Sequence, residues 1–120
     1  MQIISSYFQS QDQRGEIFGV GRFPWMQEIN YIESLQGSVR GGHYHKETQE
    51  LFFILAGEIK VEIEQLKTKE RKTFIFKKKD IFLIEPYEVH TFFILEDAKW
   101  INILSRPMDP QKPDFHKPPG

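Results

Sequence analysis

Seven residues, Ile59–Gln65 (IKVEIEQ), set the strongest constraint on what this chain can fold into. Ile59, Val61 and Ile63 alternate with Lys60, Glu62 and Glu64, and that period of two belongs to an antiparallel strand with one buried and one wet face. The rest of the sequence repeats the theme. Short segments rich in Ile, Phe, Val and Tyr are punctuated by Gly, Pro, Asp and Lys, and no window of about 10–15 residues carries helical periodicity. The chain is therefore expected to be all-β, a sandwich or barrel. Strands are predicted at Ile3–Ser6, Ile17–Val20, Met26–Ser34, Val39–His45, Glu50–Ala56, Ile59–Gln65, Thr73–Phe76, Asp80–Ile84, Val89–Leu95 and Trp100–Ser105. Ala56-Gly57-Glu58 reads as the turn joining two of them, with Gly57 free to take a positive φ. The lysine-rich runs Leu66–Lys72 and Lys77–Asp80 read as solvated turns.

Two stretches, Leu51–Leu55 (LFFIL) and Thr91–Leu95 (TFFIL), are apolar on both faces. One face can fill a barrel, and the other needs a second sheet or a partner subunit, which predicts a homodimer. At 120 residues the chain reads as one domain over 1–106, followed by an extended arm over 107–120 that holds five of the seven prolines. The 16 basic and 17 acidic residues nearly cancel, so no nucleic-acid partner is expected. The N-terminus lacks the layout of an export signal and no apolar run is long enough for a membrane helix, so a cytoplasmic location with no membrane partner is expected. Without a cysteine, metal chemistry is restricted to His and carboxylate ligands.

Those residue types gather in Gly37–Gly57. His43 and His45 share one face of a predicted strand, Glu50 begins the next, and His90 lies on a later one beside Phe92 and Ile94. Brought together, three imidazoles and a carboxylate suit Zn, Fe, Mn, Ni or Cu. Imidazole also titrates near neutral pH, which suits proton transfer.

The spacing Gly37, five residues, His43-x-His45, four residues, Glu50, six residues, Gly57 resembles the first motif of the cupin superfamily at every defined position. The second cupin motif is partly present. Registered on His90, its two glycine positions are Lys79 and Tyr87, its proline position is Glu85 beside Pro86, and its asparagine position is Ile94. This places the conformation of that loop in question. The resemblance implies a small antiparallel double-stranded β-helix, the jelly-roll barrel.

Finer features resemble nucleotide-sugar cupins. Asp12-Gln-Arg-Gly15 is similar to a D-x-R-G of deoxysugar 3,5-epimerases, and Arg40-Gly-Gly-His-Tyr-His-Lys46 to a stretch of dTDP-4-keto-6-deoxyhexose 3,4-ketoisomerases. By that resemblance Arg40 would contact a nucleotide diphosphate of a dTDP- or UDP-sugar, and His43 and His45 would form the acid/base pair. No organic cofactor is implied. Tyr31 and Tyr44 offer hydroxyls for catalysis or substrate binding. The retained metal quartet leaves two other functions open, a metal-dependent cupin oxygenase or related enzyme and a non-enzymatic small-ligand sensor. Glu50→Gln would separate a metal enzyme from a metal-free isomerase.

Overall fold

The computed structural model describes residues 1–119, all in strands, turns and irregular segments. The strands are β1 (Gln2–Ile4), β2 (Phe8–Asp12), β3 (Gly15–Gly19), β4 (Glu28–Ser34), β5 (Val39–His43), β6 (Glu50–Gln65), β7 (Arg71–Lys77), β8 (Ile81–Ile84) and β9 (Glu88–Leu104). Every pairing is antiparallel. One sheet of seven strands runs in the order β1-β8-β6-β9-β4, with β5 added on β9 and β7 on β6; β2 and β3 form a separate hairpin. The long strands β6 and β9 pair along most of their length and form the spine of a jelly-roll barrel.

Four predicted strands merge into two. Ala56-Gly57-Glu58 is a run of β-bulges inside β6, opposite similar irregularities in β9, and it bends both strands from one wall of the barrel to the other. Gly57 has φ 89°, and a Cβ there would stand 2.3 Å from the Asp97 carbonyl oxygen. The positive φ was expected; the hairpin turn was not what it serves. The strand expected over Val39–His45 ends at His43, and β2 was not anticipated because its residues after Phe8 are polar and all five are exposed.

The interior is aromatic. Phe52, Phe76, Phe82, Phe92 and Trp100 are buried with Ile54, Ile59, Val61, Ile84 and Ile94, and the Phe76 and Phe82 rings stack at 4.2 Å. Outside the barrel, Leu51, Ile81, Leu83 and Ile103 form a second cluster, roofed by Phe18, Val20, Phe23 and Trp25 of the same chain. The outer face of LFFIL, one ground for expecting a partner subunit, is thus covered by the chain's own N-terminal segments. Among the described residues no helix is long and apolar enough to cross a membrane.

Candidate active site

The inward parity of β6 carries Glu50, Phe52 and Ile54, and that of β9 carries His90, Phe92 and Ile94 and, past the bulges, Trp100 and Asn102. β5 brings His43 opposite His90 in register. It reaches that position through Gly41, φ 86°, where a Cβ would stand 2.5 Å from the His90 carbonyl oxygen, so only glycine permits the approach. The polar residues therefore collect at one end of an apolar barrel. A cavity of about 290 Å³ opens there, floored by Phe52, Phe92 and Trp100 and walled by His43, Glu50, His90 and Asn102.

The ring nitrogens of His43, His45 and His90 that could ligate lie within 4.8 Å of one another. His43 packs against His90 with ring centroids 4.6 Å apart and against His45 at 5.1 Å. Nδ1 of His45 is 2.7 Å from the Asp114 carbonyl oxygen and Nδ1 of His90 is 3.0 Å from that of Glu88. A carbonyl only accepts, so both Nδ1 atoms carry hydrogen and both Nε2 atoms turn inward. Glu50 Oε1 stands 3.0 Å from His45 Nε2 and 3.8 Å from His90 Nε2, while Oε2 accepts from Asn102 Nδ2 at 2.7 Å.

These contacts set the charges. Burial pulls His45 toward the neutral form, but the hydrogen bond and charge of Glu50, with help from Asp114, outweigh it and raise the pKa. The shift biases His45 toward the protonated form that donates from Nε2 to Glu50. Burial likewise opposes ionisation of Glu50, and the hydrogen bond from His45 with the nearby imidazoles holds its pKa below the usual value. Burial depresses His90 to about 4, so it is neutral. His43 is also lowered, by burial and then by the charge of His45. The site thus favours the neutral form at His43 and His90 and draws His45 the other way.

The donor set fits a divalent transition cation. Two imidazoles are locked by backbone carbonyls in the tautomer that directs Nε2 to the centre, the kind of outer support metal ligands have. The residues that would hold such a cation are His43, His45 and His90, with Glu50 beside them.

Not every expected residue lines the cavity. His45 lies one layer behind the cavity, lining a smaller recess with Thr48, Glu50 and Asp114. Arg40 stands at the cavity edge, its Nε donating to Ser34 Oγ at 2.9 Å; among the described residues no Asp or Glu forms an ion pair with it. Tyr31 faces outward, 58% exposed, and donates to Glu33 at 2.9 Å. Tyr44 has the opposite parity from His43 and packs between Tyr87 and His116. Asp12-Gln-Arg-Gly15 is the exposed turn between β2 and β3, with Arg14 paired to Asp12.

Three contributors were not foreseen. Asn102 sits in Trp100–Ser105 with the inward parity of Trp100, a signal available in the sequence. Asp114 and Phe115 had none, because they belong to the proline-rich arm. Asp114 accepts from the backbone N–H groups of Lys46, Glu47 and Thr48 and from the Thr48 hydroxyl, and Phe115 lies over His43 with centroids 4.7 Å apart. His116 is half-buried and exchanges two backbone hydrogen bonds with Tyr44.

The family described as the polysaccharide biosynthesis C-terminal domain matches residues 10–114. None of the curated proteins matches by sequence. Among solved structures, the capsular polysaccharide assembling protein CapF from Staphylococcus aureus is similar over 92% of this chain, with 20% identity and a TM-score of 0.72. The match covers 33% of CapF, so the chain spans about a third of its length. A 3,4-ketoisomerase from Helicobacter canadensis matches with a TM-score of 0.80 and 19% identity, over 95% of this chain and 87% of its own. The sugar 3,4-ketoisomerase QdtA from Thermoanaerobacterium thermosaccharolyticum, solved with TDP, gives 0.77 and 19% over 92% and 83%. At these identities the likeness is one of fold, and the fold is the cupin jelly roll.

Proposed function

This chain belongs to the polysaccharide biosynthesis C-terminal domain family, and from that premise we propose that it isomerises or epimerises a nucleotide-linked 4-keto-deoxyhexose by histidine-mediated proton transfer. The observation that carries the reading is His43 facing an open cavity, with the hydrogen-bonded His45–Glu50 pair packed behind it. His43 removes the proton from the carbon beside the keto group, and the electron pair leaves an enediolate. The hydroxyl proton on that carbon passes to the neighbouring oxygen, and His43 returns its proton to the former carbonyl carbon. His45, drawn toward its protonated form by Glu50, stabilises the negative intermediate from behind. The apolar floor holds the sugar, and Arg40 offers its free guanidinium ends to the diphosphate at the rim. A homodimer in the cytoplasm is part of the same proposal.

A second reading is favoured by the two carbonyl-locked imidazoles. His43, His45, Glu50 and His90 would hold a divalent ion, which as a Lewis acid would stabilise the enediolate.

The test is thermal shift with dTDP and UDP followed by turnover of dTDP-4-keto-6-deoxyglucose. Ligand that binds the native state must raise the melting temperature. No shift at millimolar nucleotide together with no turnover would remove the proposal.

A further inference from the structure

We infer that Phe115 is a substrate-contacting residue that determines specificity, delivered to the site by the arm that Asp114 latches down. This inference rests on the sugar-nucleotide reading of the cavity.

Four observations converge on it. The Asp114 carboxylate gathers three successive backbone N–H groups and a hydroxyl from residues 46–48, which fixes the arm to the turn after His45. The Asp114 carbonyl accepts from His45 Nδ1, so the same residue is a positioning residue for the histidine tautomer. His116 then pairs with Tyr44 through two backbone hydrogen bonds of 2.9 and 3.0 Å, and the arm is held on both sides of Phe115. Pinned in this way, the Phe115 ring rests against His43 and His45 and, with Met108, forms the arm's side of the cavity. It nevertheless remains 46% exposed. A large apolar ring left half in water beside a reactive imidazole, while its neighbours on either side are firmly bonded, has an open face turned to whatever enters.

The chemistry of that face narrows the occupant. The polar wall of the cavity is Glu50, His90 and Asn102, side chains that can pair with incoming hydroxyls. The opposite wall is aromatic and thioether. A 6-deoxyhexose has matching surfaces, hydroxyls on one edge and a methyl group with ring C–H on the other, and an aromatic ring packs well on the latter. Phe115 lies just past residues 10–114, the stretch matched by the family.

The experiment compares F115A and F115Y with the unaltered protein, measuring turnover of dTDP-4-keto-6-deoxyglucose and affinity for dTDP, which has no sugar. F115A is expected to raise KM about tenfold, with kcat changed far less and dTDP affinity unchanged; F115Y is expected to recover most of that loss. An unchanged KM in F115A would overturn the inference alone. So would a lowered KM, which would make the ring an obstruction, or an equal loss of dTDP affinity, which would make its role structural. Unaltered protein that neither binds dTDP nor turns over the sugar would overturn the functional reading and this inference together.

Discussion

Glu50 is the residue on which the alternatives turn, and its surroundings change what it can test. From sequence it is a fourth metal ligand, so Glu50→Gln should spare a metal-free isomerase. In the fold the same carboxylate raises the pKa of His45 through their hydrogen bond and anchors Asn102. Glu50→Gln is therefore expected to lower kcat by about 10- to 100-fold with or without a metal, since a support of this kind is worth that much to the group it holds. A full-rate variant in a steady-state assay would exclude the charged-His45 mechanism. Lys79 and Tyr87 make a different point. They occupy the two glycine positions of the second cupin motif, and both keep the left-handed backbone glycine would supply, φ 78° and 67°. The loop conformation survives without its usual residues, at the steric cost a side chain carries there. Lys79→Gly is expected to stabilise the protein by about 1 kcal/mol, read as a higher urea midpoint at unchanged slope. The exposed Lys79–Glu16 ion pair it gives up is too weak to reverse the sign.

At the scale of elements, the continuity of β6 and β9 decides where the site lies. A hairpin at Gly57 would end one wall of the barrel, whereas the bulges let a single strand carry Glu50 at one end and the sheet-forming IKVEIEQ at the other. The arm is the other decisive element. Burial alone would raise the Asp114 pKa, but the backbone N–H groups of Lys46 and Glu47, with His116 and Thr48, hold it far below the usual carboxylate range. A carboxylate with a depressed folded pKa contributes stability above its unfolded value, near 3.9, and loses it as the pH falls further. Asp114→Ala is expected to cost about 1 kcal/mol at pH 7. The difference from the unaltered protein should shrink as the pH drops below about 4. Denaturant melts across that range would show it, and a difference that grows at low pH would contradict the latch.

For the whole molecule, the aromatic interior and the histidine end are parts of one packed body, so occupancy of the site acts on global stability. Zinc at 100 times its dissociation constant should raise the unfolding free energy by about 2.7 kcal/mol. Imidazoles engaged by a cation have no lone pair left for a proton. Added zinc is therefore expected to stabilise the fold while slowing isomerisation, and a chelator to restore the rate. Turnover that rises with zinc would favour the Lewis-acid reading. Trp100, 1% exposed and bonded through Nε1 to Ser34, ties the cavity floor to β4. Trp100→Ala is expected to cost about 3–5 kcal/mol, measured by chemical unfolding.

The sequence by itself determined the all-β class, the inward parity of Glu50, Phe52, His90 and Phe92, and the three histidines and one glutamate that meet at the barrel's end. Period-two alternation and the His-x-His…Glu spacing are local properties, written into consecutive residues. Only the tertiary structure decided that His45 stands behind the cavity and His43 in its wall, that Tyr31 and Tyr44 face elsewhere, and that the proline-rich arm returns to close one side. Those outcomes depend on bulges that redirect strands and on hydrogen bonds between residues nearly seventy positions apart. No local pattern encodes such contacts, because their partners become neighbours only when the barrel has closed.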